Sequence, residues 1–132
     1  MSGAPRFSGF SITTDRRTEA LAFYRLLGFA VQEDKNGNGR SCVDAPNQHF
    51  DVDDADAVLS WNPGSRGPGI SLGFEVDTPE EVDALVGRLA REGYVVQQAP
   101  YDAPWRRRCA VVEDPDGHPI GFMSAGSADP QT

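Results

Sequence analysis

One short pattern recurs in this chain, and it limits the possible folds more than any other feature. Leu27-Gly28-Phe29-Ala30-Val31-Gln32 matches Glu92-Gly93-Tyr94-Val95-Val96-Gln97, with the two glycines 65 positions apart. In each copy an amphipathic helical stretch ends at the glycine and strand-like stretches follow it. An internal repeat of this kind predicts two copies of one supersecondary module.

The first copy reads as strand, helix and three strands. Residues 7–14 alternate large and small side chains, which is typical of a strand with one buried face. An apolar stripe over residues 20–27 predicts a helix that ends at Gly28. Residues 29–32, 40–43 and 49–53 follow as strands, with a tight Asn-Gly-Asn-Gly turn at 36–39. We expect residues 55–61 to form one helical turn or an irregular segment.

The second copy follows a linker. Residues 62–69, rich in glycine and proline, separate a first module at 1–61 from a second at 70–123 within one structural domain. Residues 70–76 predict a strand, and Thr78, Pro79 and Glu81 predict the start of a helix that ends at Gly93. A strand at 94–97 and a loop at 99–105 follow. We expect residues 124–132 to be a disordered tail.

The most distinctive local motif is the hairpin at residues 108–123. Asp114-Pro115-Asp116-Gly117 is a turn sequence, because proline presets φ, aspartate bonds the nearby backbone and glycine accepts a positive φ. In the strand that follows, Ile120 and Phe122 share one face, and Gly121 and Met123 share the other.

This hairpin and the duplicated module resemble the vicinal oxygen chelate superfamily, which holds glyoxalases, bleomycin-resistance proteins and extradiol dioxygenases. The resemblance implies an α+β fold in which two βαβββ modules in tandem form an eight-stranded open cleft with the helices outside. A ferredoxin-like α+β sandwich is the main rival, but it lacks the third strand after each helix.

The resemblance also implies where a metal would bind: on the first and last strands of each module. Those positions fall at Ser71 and Gly121 in the second module, and at Ser8 or Gly9 and Asp51 in the first. One carboxylate does not make a site that needs three or more protein ligands. We therefore expect no metal and no other cofactor, as in the metal-free, bleomycin-resistance-like branch.

Few residues suggest acid–base chemistry. His49 lies near Asp51 and could form an acid–base pair, or the two could be an ordinary surface pair. Glu75 is expected to face the cleft, as a general base, as a group that recognises a cation, or as a solvated sheet residue. His118 is interpreted as a solvent-facing turn residue.

Aromatic and small residues suggest binding instead. Trp61 and Trp105 border the expected cleft, Tyr101 lies near the second, and glycines at 9, 73 and 121 enlarge the cavity. Alternatively, the tryptophans plug the cleft or pack a dimer. The predicted ligand-binding set is Trp105, Tyr101, Trp61, Ser71, Glu75, Gly121, Met123, His49 and Asp51, with no catalytic residue assigned.

Composition narrows the partners and the compartment. A net charge of −8 and a pI near 4.6 argue against nucleic acid, whose binding needs excess Lys and Arg. The sequence has no long apolar run and no secretory signal, so we expect no membrane partner and a cytoplasmic location. Cys42 and Cys109 are then expected to be reduced structural thiols.

The leading interpretation is a metal-free protein that sequesters an aromatic or antibiotic-like small molecule, for drug resistance or self-immunity, and is not an enzyme. The alternative is a glyoxalase- or dioxygenase-type lyase or isomerase with an unrecognised site, and a third possibility is a regulatory or structural partner. By analogy with the family we expect a homodimer.

Overall fold

A computed structural model describes residues 4–33 and 39–126 of the chain. The first module consists of β1 (Arg6–Thr14), α1 (Arg17–Leu26), β2 (Ala30–Gln32), β3 (Arg40–Ala45) and β4 (Gln48–Asp54), followed by the short helix α2 (Ala55–Trp61). The second consists of β5 (Gly69–Val76), α3 (Pro79–Arg91), β6 (Val96–Asp102), β7 (Arg108–Glu113) and β8 (Pro119–Ser124). The predicted α+β class with two βαβββ modules is confirmed.

The chain divides into two compact units. The N-terminal unit is Gly9–Ser71, and the C-terminal unit joins Met1–Ser8 to Leu72–Thr132. Strands of the N-terminal unit run in the order β2-β3-β4-β1, and those of the C-terminal unit in the order β5-β8-β7-β6. In each unit the first strand pairs in parallel with the last strand of its module, and the other neighbours pair antiparallel.

Each unit buries one face of its sheet under a helix. In the N-terminal unit, the buried Leu21 of α1 packs with Val43, Phe50 and Val52. In the C-terminal unit, Val82 and Val86 of α3 pack with Val76, Ala110, Val112 and Phe122. Side chains alternate along a strand, so the odd-numbered residues of β4 lie on the sheet face opposite α1. The odd-numbered residues of β5, β7 and β8 lie on the face opposite α3, here called the helix-free face of the C-terminal unit.

The repeat is visible in how the two long helices end. Gly28 has φ of 93° and Gly93 has φ of 96°, and their amides donate to Arg25 O and Ala90 O respectively. Only glycine adopts this left-handed conformation without strain, so both copies use the same stop. At the start of α3, Thr78 Oγ1 accepts a hydrogen bond from the Glu81 amide, as the sequence predicted.

Several local predictions were wrong. Strand β6 spans Val96–Asp102, so much of the predicted 99–105 loop is strand and Tyr101 lies in the sheet. Residues 55–61 form a full helix, because Asp54 caps it by accepting from the Ala57 amide. Strand β8 extends through the buried Ser124, where a disordered tail was expected.

Part of the Asn-Gly-Asn-Gly turn and the chain after Gly126 lie outside the described residues. Within the described residues, no helix is both long enough and apolar enough to span a bilayer.

Candidate functional site

The C-terminal unit carries four of the nine predicted ligand-binding residues on its helix-free face. Backbone register places Tyr101, Cys109, Met123 and Glu75 in one row across β6, β7, β8 and β5. Val111, Gly121 and Gly73 form the adjacent row. Four of the predicted residues, Tyr101, Met123, Glu75 and Gly121, therefore lie together.

Two glycines lie side by side on neighbouring strands of this surface. Gly73 on β5 is the register partner of Gly121 on β8. The registered pairs between β5 and β8 begin at Leu72, so Ser71, the predicted ligand position on this strand, precedes the paired segment. Neither glycine has a side chain, so neither adds bulk to this face at these positions. A β-carbon built on Gly121 would have Leu72 O as its nearest neighbour, at 3.6 Å.

Glu75 is held by two arginines of its own unit. Arg6 Nη2 lies 3.3 Å from Glu75 Oε1, and Arg107 Nη1 lies 3.1 Å from Glu75 Oε2. Arg107 Nη1 also lies 3.0 Å from Met123 Sδ. With both carboxylate oxygens bound by guanidinium groups, Glu75 is better placed to fix Arg107 than to bind a cationic ligand.

Trp105 lies in a tight turn between β6 and β7. The Ala103 amide donates to Arg107 O at 2.9 Å, and the Arg106 amide donates to Ala103 O at 3.0 Å. Arg106 has φ of 65°, a conformation that costs most residues energy. Trp105 is half-buried in this turn, which leads from the Tyr101 strand into Arg107.

The N-terminal unit holds a second group of polar side chains on the sheet face opposite α1. Arg40 Nη2 binds Asp51 Oδ2 at 2.9 Å, and Arg40 Nε binds Asp53 Oδ1 at 3.1 Å. The guanidinium carbon of Arg40 lies 5.6 Å from the ring centroid of Trp61, within the range of a cation–π interaction. Trp61 is thus placed over an arginine.

Asp53 is the most perturbed carboxyl in this group. Its side chain is 6% exposed. Burial raises the pKa of Asp53 to about 6, against the lowering effect of Arg40 and with a further raising effect from Asp51. Burial also raises the pKa of the Cys42 thiol, with Asp51 and Asp44 adding to the effect. Cys42 and Cys109 are both free thiols.

The predicted His49–Asp51 pair does not form. His49 is exposed and is the register partner of Asp44, while the Asp51 carboxylate is bound by Arg40. Arg40 bridges the two carboxylates, with Nη2 on Asp51 and Nε on Asp53, so Asp51 does not orient the imidazole. Ser71 is half-buried on β5, without a register partner on β8 among the described pairs.

A metal does not fit the helix-free face of the C-terminal unit. Gly73 and Gly121 offer no donor atom, and Glu75 is occupied by two guanidinium groups. Over residues 4–33 and 39–126, one cluster has metal-ligand spacing: Asp114, Asp116 and His118, with ligand atoms within 4.8 Å of one another. There Asp114 accepts from the amides of Asp116 and His118, so the turn's own hydrogen bonds explain the cluster.

Sequence reasoning missed the arginines as organisers of both groups. Arg40 and Asp53 were not singled out, although Asp51 and Asp53 alternate on one strand face and so mark a polar face. Arg107 was noted only as one of three consecutive arginines. No local signal pairs it with Glu75, because 32 residues separate them.

Comparisons with known proteins agree with this architecture. A profile of the Glyoxalase/Bleomycin resistance protein/Dioxygenase superfamily matches residues 6–122. A search of curated proteins found no significant match.

Solved structures share the fold at low identity. A glyoxalase/bleomycin resistance protein/dioxygenase superfamily member from Vibrio splendidus is 16% identical with a TM-score of 0.60, covering 92% of this chain and 100% of that one. Methylmalonyl-CoA epimerase from Mycobacterium tuberculosis is 18% identical with a TM-score of 0.61, covering 100% and 97%. The Mn(II)-bound glyoxalase from Novosphingobium aromaticivorans is 15% identical with a TM-score of 0.63, covering 94% and 40%. The chain therefore belongs to the glyoxalase/bleomycin resistance protein/dioxygenase superfamily.

Proposed function

We propose that the chain binds a flat, mostly apolar small molecule of aromatic or antibiotic-like character, without a metal, and acts by sequestering it. The observation that carries this proposal is the register pairing of Gly73 with Gly121 on the helix-free face of the C-terminal unit. Paired glycines remove two side chains from adjacent strands and leave a shallow surface that a planar ligand can approach closely.

The neighbours of the glycine pair suit such a ligand. Val111 flanks Gly121 in the same row, and Met123 and Tyr101 lie in the next row. Methionine adapts to irregular apolar shapes, and tyrosine offers a ring for stacking. Gly121 also weakens the case for a metal enzyme, because it stands at a position where the family resemblance implies a metal ligand.

Substituting Gly121 tests the proposal directly. We expect Gly121→Val to weaken ligand binding about ten-fold or more, because the branched side chain would fill the surface beside Gly73. The unfolding free energy should stay the same or rise by up to about 1 kcal/mol, since valine suits a strand better than glycine. The measurement is tryptophan-fluorescence quenching by a panel of aromatic antibiotics, with EDTA present, alongside thermal unfolding.

Gly87→Ala is the matched control for glycine replacement. Gly87 lies within α3, where an added β-carbon would meet Arg91 Nη1 at 3.4 Å, the end of a flexible side chain. It should raise stability by roughly 0.5–1 kcal/mol and leave ligand affinity unchanged. Undiminished affinity in Gly121→Val would place the ligand elsewhere.

An enzymatic role is the second candidate, and Asp53 is the observation that favours it. A buried carboxyl whose pKa is raised to about 6 is suited to general acid–base chemistry near neutral pH. Mass spectrometry of ligand recovered after incubation separates the two functions. Unchanged ligand supports sequestration, whereas conversion that is lost in Asp53→Asn supports an enzyme.

We also propose that the protein is a homodimer. Helix α1 and its C-cap residue expose three large apolar side chains, with Leu26 87% exposed, Phe23 58% and Leu27 55%. Exposed apolar side chains grouped on one helix are common at protein–protein contacts. We expect light scattering at micromolar concentration to give twice the chain mass; a monomer mass with and without ligand would contradict the proposal.

A further inference from the structure

A cavity in the C-terminal unit lies apart from the glycine pair. Its volume is about 510 Å³, within the range of small-ligand sites. Arg106, Arg107 and Arg108 line one part of it, and Ser124, Ala125 and Gly126 at the end of β8 line another. Asp77, Pro79 and Asp102 complete the lining, so its charged groups are three guanidinium groups and two carboxylates.

Arg107 is anchored by one end only. Its Nη1 atom is bound by Glu75 Oε2 and lies against Met123 Sδ. A β-carbon placed on Gly126 would lie 3.1 Å from Arg107 Nη2 and 3.5 Å from its Nε, so this edge of the guanidinium runs beside a residue without a side chain. Within the part of the chain that the structure describes, the Nε–Nη2 edge makes no hydrogen bond.

Arginine can bind an oxyanion with two hydrogen bonds through this edge. Nε–H and Nη2–H point in parallel and match the two oxygens of a carboxylate or a phosphate. Anchoring through Nη1 fixes the plane of the group in advance, which lowers the entropy lost on binding.

The other charges of the lining already have partners. Arg108 Nε binds Asp83 Oδ1 at 2.9 Å and its Nη1 binds Asp102 Oδ1 at 3.2 Å, while Asp77 Oδ1 accepts from Arg6 Nη1 at 2.9 Å. The hydrogen bond with Asp83 is the largest cause of the raised pKa of Arg108. Arg106 makes an interaction of its own. The Nε–Nη2 edge of Arg107 lies beside Gly126, which also lines the cavity.

We propose that this cavity binds the carboxylate or phosphate group of a small ligand through the Nε–Nη2 edge of Arg107. The inference stands on a cavity whose lining includes neither Gly73, Gly121 nor Tyr101. It therefore holds or fails independently of the function proposed above.

The test is titration of the full-length, ¹⁵N-labelled protein with inorganic phosphate and with acetate, using chloride at equal ionic strength as the reference. We expect saturable shifts at the amides of residues 124–126 and at the Arg107 Nε–H, with a dissociation constant on the order of 1 mM. Acetate and phosphate arms show which oxyanion the cavity prefers. No saturable shift with either, or shifts centred outside the cavity, would overturn the proposal.

Three variants alter the binding edge in different ways. Arg107→Gln should weaken binding about ten-fold, and Arg107→Lys by a smaller factor, because lysine keeps the charge and loses the fork. Gly126→Ala keeps every charge and places a methyl group against Nη2, so it should also weaken binding several-fold. Because Arg107→Gln also releases Glu75, Gly126→Ala keeps the test decisive if Arg107→Gln folds poorly.

Arg88→Gln is the charge-matched control. Arg88 is exposed on α3 and does not line the cavity, so its loss should change binding less than about two-fold. Equal effects of Arg88→Gln and Arg107→Gln would show general electrostatic attraction and overturn the site. Gly121→Val should leave phosphate binding intact, which separates this site from the apolar surface.

Discussion

The stability of the N-terminal unit should fall as pH rises through the titration of Asp53, and Asp53→Asn should remove that dependence. Burial raises the pKa of Asp53 from 3.8 to about 6, so the folded state holds this proton over a pH range in which the unfolded chain has released it. The folded state then binds more protons than the unfolded one, and unfolding becomes easier with rising pH. The contribution of the protonated Asp53 carboxyl to stability is fully present below about pH 4 and is lost as the pH rises above about 6.

The upper limit of the effect is about 3 kcal/mol, because each pKa unit corresponds to about 1.4 kcal/mol. We expect the unfolding free energy of the wild-type protein, relative to Asp53→Asn, to drop by about 1–3 kcal/mol between about pH 4 and pH 7. Chemical denaturation at a series of pH values measures this difference. Asparagine is neutral throughout, so the variant provides the baseline.

Asp114→Asn is a control of opposite sign. Hydrogen bonds from His118 and Asp116 lower the pKa of Asp114, with the His118 backbone amide as the largest cause. A carboxyl whose pKa is lowered on folding stabilises the fold at pH values above its unfolded pKa. This stabilisation is lost only in acid. Relative to Asp114→Asn, wild-type stability should therefore be flat above about pH 5 and fall below about pH 4. If the unfolding free energy of the wild-type protein relative to Asp53→Asn does not change between about pH 4 and pH 7, the Asp53 carboxyl stays ionised in the folded state.

Elements defined by local chemistry were predictable from the sequence. Gly28 and Gly93 end their helices through their own backbone conformation, and Thr78 caps α3 through a neighbour three residues away. The Asp114–Gly117 turn closes with hydrogen bonds inside the turn, from the Gly117 amide to Asp114 O and from the Asp116 amide to the Asp114 side chain. In each case the residues that determine the structure lie close together in the sequence.

Strand β6 was mispredicted because pairing with β7 determines it. Pro100 and the small Ala99 suggest a loop, and the register with β7 shifts between Val96 and Gln98 and again between Gln98 and Tyr101. A strand with such irregularities has no clean alternation for the sequence to display. Its length is determined by pairing with residues 108–112. The strand propensity of the local sequence does not reveal this pairing.

The polar groups were unpredictable for a related reason. Glu75 was placed on the expected strand face, but its partners Arg6 and Arg107 are 69 and 32 residues away. Asp53 and Arg40 are 13 residues apart and meet only through the β3–β4 register. Residue types alone suggested a carboxylate open to a ligand, whereas the folded chain satisfies it with arginines and leaves an arginine edge open in its place.

Truncation of Phe122 should mainly lower stability, whereas truncation of Trp105 should mainly lower ligand affinity. Comparing the two variants tests whether Trp105 belongs to the binding surface. Phe122 is 8% exposed, packs with Val82 and Val86 of α3, and has its ring centroid 6.1 Å from that of Phe74. Phe122→Ala leaves a cavity in this core, so it should cost about 3–5 kcal/mol of stability.

Trp105 is half-buried in the Ala103–Arg107 turn and does not belong to the buried core cluster of the C-terminal unit. Trp105→Ala should cost less than about 2 kcal/mol of stability. It should also weaken the binding of an aromatic ligand several-fold, because stacking on the ring contributes roughly 0.5–1.5 kcal/mol beyond area burial. The melting temperature and the ligand affinity are measured for both variants. The affinity is measured by calorimetry, because removing Trp105 changes the tryptophan fluorescence. If Trp105→Ala loses as much stability as Phe122→Ala and the folded fraction binds ligand with unchanged affinity, Trp105 is a packing residue and the ligand surface excludes this turn.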